Sequence, residues 1–210
     1  MTKRTGEKYE AIIDAAIRVI AENGYHNAQV SKIAREAKVA DGTIYLYFEN
    51  KDDMLISLFN EKMGAFIETV REAIARVDSA PDQLRELMRL HFAHLENNPK
   101  MAIVTQIELR QSNRKVRKGI AETLKKYMDV IDDIIRSGIE QGIFRPDVDV
   151  RVARRMIFGT LDETVTSWIA NGCKYSLMDQ VDPIHRLFLD GMGKEAPLQR
   201  DAHSEKEGNA

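Results

Sequence analysis

One cysteine, Cys173, in 210 residues leaves nothing for an intrachain disulfide. A reducing cytoplasm is the natural setting for such a chain. Five prolines are too few for a loop-rich architecture. Neither sign of charge is in excess: 31 Lys and Arg face 33 Asp and Glu, a net of −2. Bulk charge therefore does not announce nucleic acid. No apolar run approaches the roughly 18 residues that cross a membrane, so no membrane partner is expected. The polar opening from Met1 to Glu10 has no apolar stretch resembling a signal peptide. There is also no phosphate-cradling glycine loop and no strand alternation.

What is present is helical periodicity almost throughout, so the expected fold class is all-α. Tyr9, Ile12, Ile13, Ala16, Ile17 and Ile20 recur at helical spacing, and Asn23-Gly24 closes that run. A longer stripe runs from Leu55 through Phe59, Met63, Phe66 and Val70 to Val77. Pro81 opens a helix carrying Leu84, Leu87, Met88, His91 and Leu95, which Asn97-Asn98-Pro99 ends. Met101 to Leu109 follows, then Val116 to Ile139, and Asp149 can cap a helix reaching about Ala170. A last helix begins near Asp182-Pro183 and carries Leu187, Phe188 and Met192. From Lys194 onward the chain has almost nothing to bury, and disorder is expected.

The informative stretch lies between the first helix and the long one. Ser31 to Lys38 makes a short helix with Ile33, Ala34 and Ala37 inward, and Lys38-Val39-Ala40-Asp41 turns into a second, Gly42 to Phe48. Two short helices across so tight a turn form a helix-turn-helix, whose second member enters a DNA major groove. Gly42 and Thr43 keep its start slim, Ile44 and Phe48 can face the core, and Tyr45 and Tyr47 point elsewhere. Asn50 can cap the long helix, with Asp52 and Asp53 in its first turn. Lys51 opposes the helix dipole there, unless a phosphate beside it changes the balance.

These residues carry a resemblance. Gly24-Tyr25 through VSKIAREAKVADGTIYLYFENKDDML resembles the DNA-binding domain of the tetracycline-repressor family. Ile33-Ala34, the run GTIYLYF, and Lys51 three residues before Met54-Leu55 fall in the family's order and spacing. AIVTQIELRQSN (Ala102 to Asn113) and RMIFGTLDETVTSW (Arg155 to Trp168) resemble one subgroup, the fatty-acid-degradation regulators of Gram-positive bacteria. The likeness runs from about Tyr9 to Met192. It implies a helix-turn-helix domain at residues 1–50 and a ligand-binding and dimerisation domain at 51–193, leaving the polar tail at 194–210 outside it. It implies a homodimer that binds palindromic operator DNA and lets go on binding long-chain acyl-coenzyme A, with no cofactor. Ser31, Gly42, Thr43 and Tyr45 would lie nearest the base edges, Tyr47 and Lys51 would hold the backbone, and Lys32 completes the set. Otherwise Tyr45 and Tyr47 are partly buried supports and Lys51 a solvated lysine. Two departures stand out. Lys38 occupies the usual glycine of the turn, where a positive φ would cost lysine roughly 1 kcal/mol. Gln29 replaces the usual capping threonine.

Charge is unevenly placed. Residues 1–57 hold eight basic and nine acidic side chains, so specific phosphate placement must carry DNA affinity. Residues 110–126 hold seven basic side chains and one acid, Glu122. A solvated face usually mixes signs, and a multiply anionic ligand is the sharper reading. Coenzyme A phosphates on Arg110, Arg114, Lys115, Arg117 and Lys118 would suit it. Phe66, Phe92, Val104, Leu124, Met128 and Phe158 are candidates for an apolar slot, although such residues are more often core. Gly159 and Thr160 could admit a second helix, and the resemblance pairs this helix and the last with their copies in a dimer.

The rivals have less support. His91, His94 and Glu96 could hold a metal in an enzyme, yet helical histidine pairs are common by chance. Cys173 follows Asn171-Gly172 in a turn that is no nucleophile elbow. An acyl-coenzyme A enzyme without DNA binding leaves residues 30–55 unexplained. A drug-responsive repressor would want buried acids, for which Asp162 and Glu163 are the candidates.

Overall fold

The computed structural model describes residues 6–110 and 113–193. The tail expected to be disordered, from Lys194 onward, lies outside the described residues. The described chain is helical: α1 (Glu7–Asn23), α2 (Val30–Glu36), α3 (Asp41–Tyr47), α4 (Lys51–Ile74), α5 (Ala80–Glu96) and α6 (Pro99–Ile103) lead into a π-helical turn (Val104–Glu108). Then come α7 (Arg114–Glu140), α8 (Val150–Ala170), a 3-10 turn (Met178–Gln180) and α9 (Val181–Met192). Among the described residues no strand forms, and no helix is long and apolar enough to cross a membrane.

Several ends follow from named side chains. Asn50 accepts from the Asp53 N–H and Asp149 from those of Arg151 and Val152, each capping the helix it precedes. Asn113 does the same for α7, accepting from Lys115 and Val116. Gln29 makes no side-chain cap to α2. Lys38 does take φ 57°, so the turn carries a left-handed lysine. The last helix begins one residue before Asp182, extended backwards by the 3-10 turn.

Two clusters of buried side chains divide the molecule. The first joins Ile12, Ile13 and Ile20 of α1 to Ile33, Ala34, Ile44 and Phe48 of the helix-turn-helix. It continues into Met54, Leu55 and Leu58 of α4, Met101 of α6, Val104, and Val116 and Ile120 of α7. The three amino-terminal helices therefore share a core with the body's near end. The second cluster holds Leu84, Leu87 and Phe92 of α5 with Tyr127, Ile131 and Ile135 of α7. Ile157 and Leu161 of α8 and Phe188 of α9 complete it. Met63 packs against both clusters. Gly119 sets how closely α7 meets α4, since an added Cβ there would lie 2.6 Å from Ile56 Cδ1.

Candidate DNA-reading helix and ligand cavity

Ile44 and Phe48 are buried, which pins one side of α3 and turns the other to solvent. Tyr45 is 58% exposed, so it is not a buried support. Gly42 is exposed and Thr43 half-buried. Tyr47 is half-buried, its ring 5.9 Å from that of Tyr9. Ser31 is half-buried, and Lys32 Nζ donates to Asn23 Oδ1 at 3.1 Å.

Lys51 is not the solvated lysine of the alternative view. Its Nζ donates to the Tyr25 carbonyl at 2.6 Å and the His26 carbonyl at 3.1 Å, 4.6 Å from the Tyr25 ring centroid. Burial lowers its pKa, against the opposing pull of Asp52. Lys51 thus ties the start of α4 to the loop between α1 and α2. The same loop is held from below: the Tyr25 hydroxyl donates to Asp52, as does the Asn113 amide at 2.7 Å. Those hydrogen bonds, Tyr25 first, hold the Asp52 carboxyl below its ordinary range.

A cavity of about 760 Å³ opens where the two cores meet, inside the roughly 300–1,000 Å³ typical of small-molecule sites. Phe59, Met101 and Ile120 from the first cluster line it, with Phe66 and Leu95 from the second. Of the expected apolar residues, Phe66, Leu124, Met128 and Phe158 line this space. Phe92 and Val104 do not: each is fully buried within its own core and is wall-supporting structure rather than lining.

The basic cluster divides as well. Arg110 and Arg117 line the cavity, whereas Arg114, Lys115 and Lys118 are exposed and do not line it. The break at Asn113 separates Arg110 from α7, and at about 100° per residue Lys115 and Lys118 turn away from Arg117 along that helix. Lys125, Arg154 and Arg155 join the lining instead. The α8 arginines were missed; their signal was an adjacent charged pair at the start of an apolar helix. Arg110 pairs with Asp162, and Arg154 with Asp132 at 2.8 Å. Asp162 is thereby engaged, and Glu163 is exposed, which leaves no unpaired buried acid at those two positions for a cationic drug.

His91 and His94 also line the cavity. His91 Nδ1 lies 2.9 Å from the Tyr127 hydroxyl, and burial pushes its pKa down to about 4. His94 stacks on Phe66 with centroids 4.7 Å apart. Among the described residues no group of three or more His, Cys, Asp or Glu is placed to hold a metal.

The π-helical turn connects cavity to reading head. The Leu109 N–H donates to the Val104 carbonyl at 2.9 Å, an i→i+5 bond that inserts one residue into the helix. Thr105, Gln106, Leu109 and Arg110 thereby face the cavity, while Glu108 reaches outward to the Tyr25 N–H.

Comparison with known proteins agrees with this anatomy. Residues 12–58 match the bacterial regulatory proteins of the tetR family, and residues 59–191 match the YsiA-like protein carboxy-terminal region. The fatty acid metabolism regulator protein of Bacillus subtilis is 52% identical over 190 residues, covering 90% of this chain and 98% of the relative. The crystal structure of the transcriptional regulator FadR from B. subtilis, in complex with stearoyl-CoA, superposes with TM-score 0.85 at 53% identity, covering 88% and 99% of the two chains. The fatty acid degradation regulator FadR of Bacillus halodurans gives 0.84 at 53%, with the same coverage. This chain belongs to the tetR family of bacterial transcriptional regulators.

Proposed function

We propose that this protein represses fatty-acid-degradation genes, binding a palindromic operator as a homodimer and releasing it when long-chain acyl-coenzyme A enters the cavity. One observation carries the reading: a chamber with a largely apolar lining that also holds five cations and two acids, Asp129 and Asp162, lies at the seam between the head's core and the body's. An acyl chain fits the apolar wall, and coenzyme A phosphates fit Arg110, Arg117, Lys125, Arg154 and Arg155. The relative of 53% identity that binds stearoyl-CoA supports the same ligand class. Filling a seam changes how two cores pack against each other, and that is the differential contact a switch requires.

In this scheme residues 1–50 read DNA and residues 51–193 bind ligand and dimerise. Gly42, Thr43 and Tyr45 approach bases, Ser31 and Lys32 flank them, and Tyr47 contacts backbone. Lys51 shares its ammonium between loop carbonyls and phosphate. Val152 and Met156 of α8 and Leu187 of α9 are exposed, and space at Gly159 is open. A second copy seated there would set two heads about 34 Å apart, one DNA turn. The protein works in the cytoplasm as a regulator rather than an enzyme, its effector leaving chemically unchanged.

The deciding experiment titrates operator-bound protein with stearoyl-CoA and with free coenzyme A. Stearoyl-CoA should release DNA at low concentration and free coenzyme A poorly. By linkage, saturating operator should weaken stearoyl-CoA binding by the same factor. One ligand affinity with and without operator would sink the mechanism.

A further inference from the structure

Leu46 is 65% exposed in the last turn of α3, and nothing within the chain accounts for a leucine there. At about 100° per residue it stands roughly 200° from Ile44, nearly opposite the buried side. Gly42 lies one turn earlier on the same face. A Cβ at Gly42 would meet nothing within 4 Å, and its φ is not positive. Neither packing nor backbone conformation demands glycine, whose presence weakens so short a helix. The exposed face thus pairs a residue with no side chain and a large apolar one. Both make sense against a surface that comes close to the backbone and offers an apolar group one turn on. Among base edges in the major groove, the thymine 5-methyl is such a group.

We infer that Leu46 reads a thymine methyl in each operator half-site, with Gly42 letting the helix axis approach closely enough for contact. This rests on α3 being the groove-entering helix. Leu46 then contributes specificity without a hydrogen bond, and the hydroxyls of Thr43 and Tyr45 flank it.

The test uses the full-length protein and a duplex enriched from a random pool by the wild type. Each thymine is replaced in turn by uracil, which keeps its pairing and lacks only the methyl. One position per half-site should lose about fourfold in wild-type affinity, as expected for one buried methyl-sized group. Leu46→Ala, a surface change that leaves the core intact, should bind the thymine duplex correspondingly less well and show no loss with uracil at that position. A pool selected with Leu46→Ala should lose its preference for thymine there. Uracil effects absent from wild type, or equal in both proteins, overturn the inference, as does a selected site without thymine in its half-sites. Thr43→Ala separates the two levels. If it shifts the selected sequence while Leu46→Ala does not, α3 enters the groove and only the methyl contact is wrong. If neither shifts it, the assignment of α3 fails.

Discussion

The Glu108 carboxylate accepts the backbone N–H of Tyr25 at 2.6 Å, across 83 residues of chain. Glu108 ends the π-helical turn from which Thr105 and Gln106 line the cavity, and Tyr25 belongs to the loop that Lys51 and Asp52 hold against α4. A ligand that moves the turn therefore pulls directly on the backbone entering the helix-turn-helix. Glu108→Ala should lower the ratio of operator affinities measured without and with stearoyl-CoA toward unity. Wild-type coupling of this kind is typically on the order of 5–150-fold. Direct stearoyl-CoA binding should persist, and an unchanged ratio would remove Glu108 from the route.

Gly42→Ala separates folding from recognition. The open space around Gly42 lets alanine raise stability by up to about 1 kcal/mol through helix propensity. Operator binding should weaken, because the added methyl holds the helix off the groove. Thermal unfolding and fluorescence anisotropy give the two readouts, and a variant that binds operator as well as wild type contradicts close approach.

The cationic lining of the cavity can be tested by position. Reversing charge at Arg117 and Arg155, which line the space, should weaken stearoyl-CoA binding strongly, and less so as salt rises. Reversing it at Arg114 and Lys118, which do not, should have little effect. Equal losses in both pairs would indicate long-range attraction alone, with no phosphate seat.

His91 makes stability depend on acid. Its folded pKa of about 4 lies below the ordinary 6.5, so the unfolded state binds the proton more readily between those values. Stability should fall as pH drops through that window, by roughly 2 kcal/mol between about pH 7 and pH 5. Urea denaturation of wild type and His91→Gln at the two pH values measures it. The variant should lose most of this slope, and an identical slope would assign the acid sensitivity elsewhere.

Much of the molecule was legible in order along the chain. Asn50 and Asp149 stand before helices because a side-chain oxygen there satisfies exposed N–H groups, a requirement met within three residues. Ile44 and Phe48 declared the buried side of α3 by their spacing, and Lys38 declared a strained turn by replacing glycine. Those signals are local, since each depends on neighbours only a few residues away.

Burial against cavity lining was decided by tertiary structure. Phe66 and Phe92 are both aromatic residues on apolar helical faces, yet one borders the chamber and the other is sealed in a core. Only the way α4, α5, α7 and α8 meet distinguishes them. Arg114 and Arg117 likewise share a charge run and lie one turn apart on α7, yet only Arg117 lines the cavity, because the cavity's extent along α7 is set by the helices packed against it. Lys51 was marked by its unfavourable place at a helix start, but its carbonyl partners lie 25 and 26 residues away. The sequence by itself determined the helices, their caps and the exposed face of the reading helix, because those depend on short-range periodicity and hydrogen bonding. Which side chains converge on one ligand, and through which carboxylate that site touches the reading head, depended on contacts between helices distant in the chain.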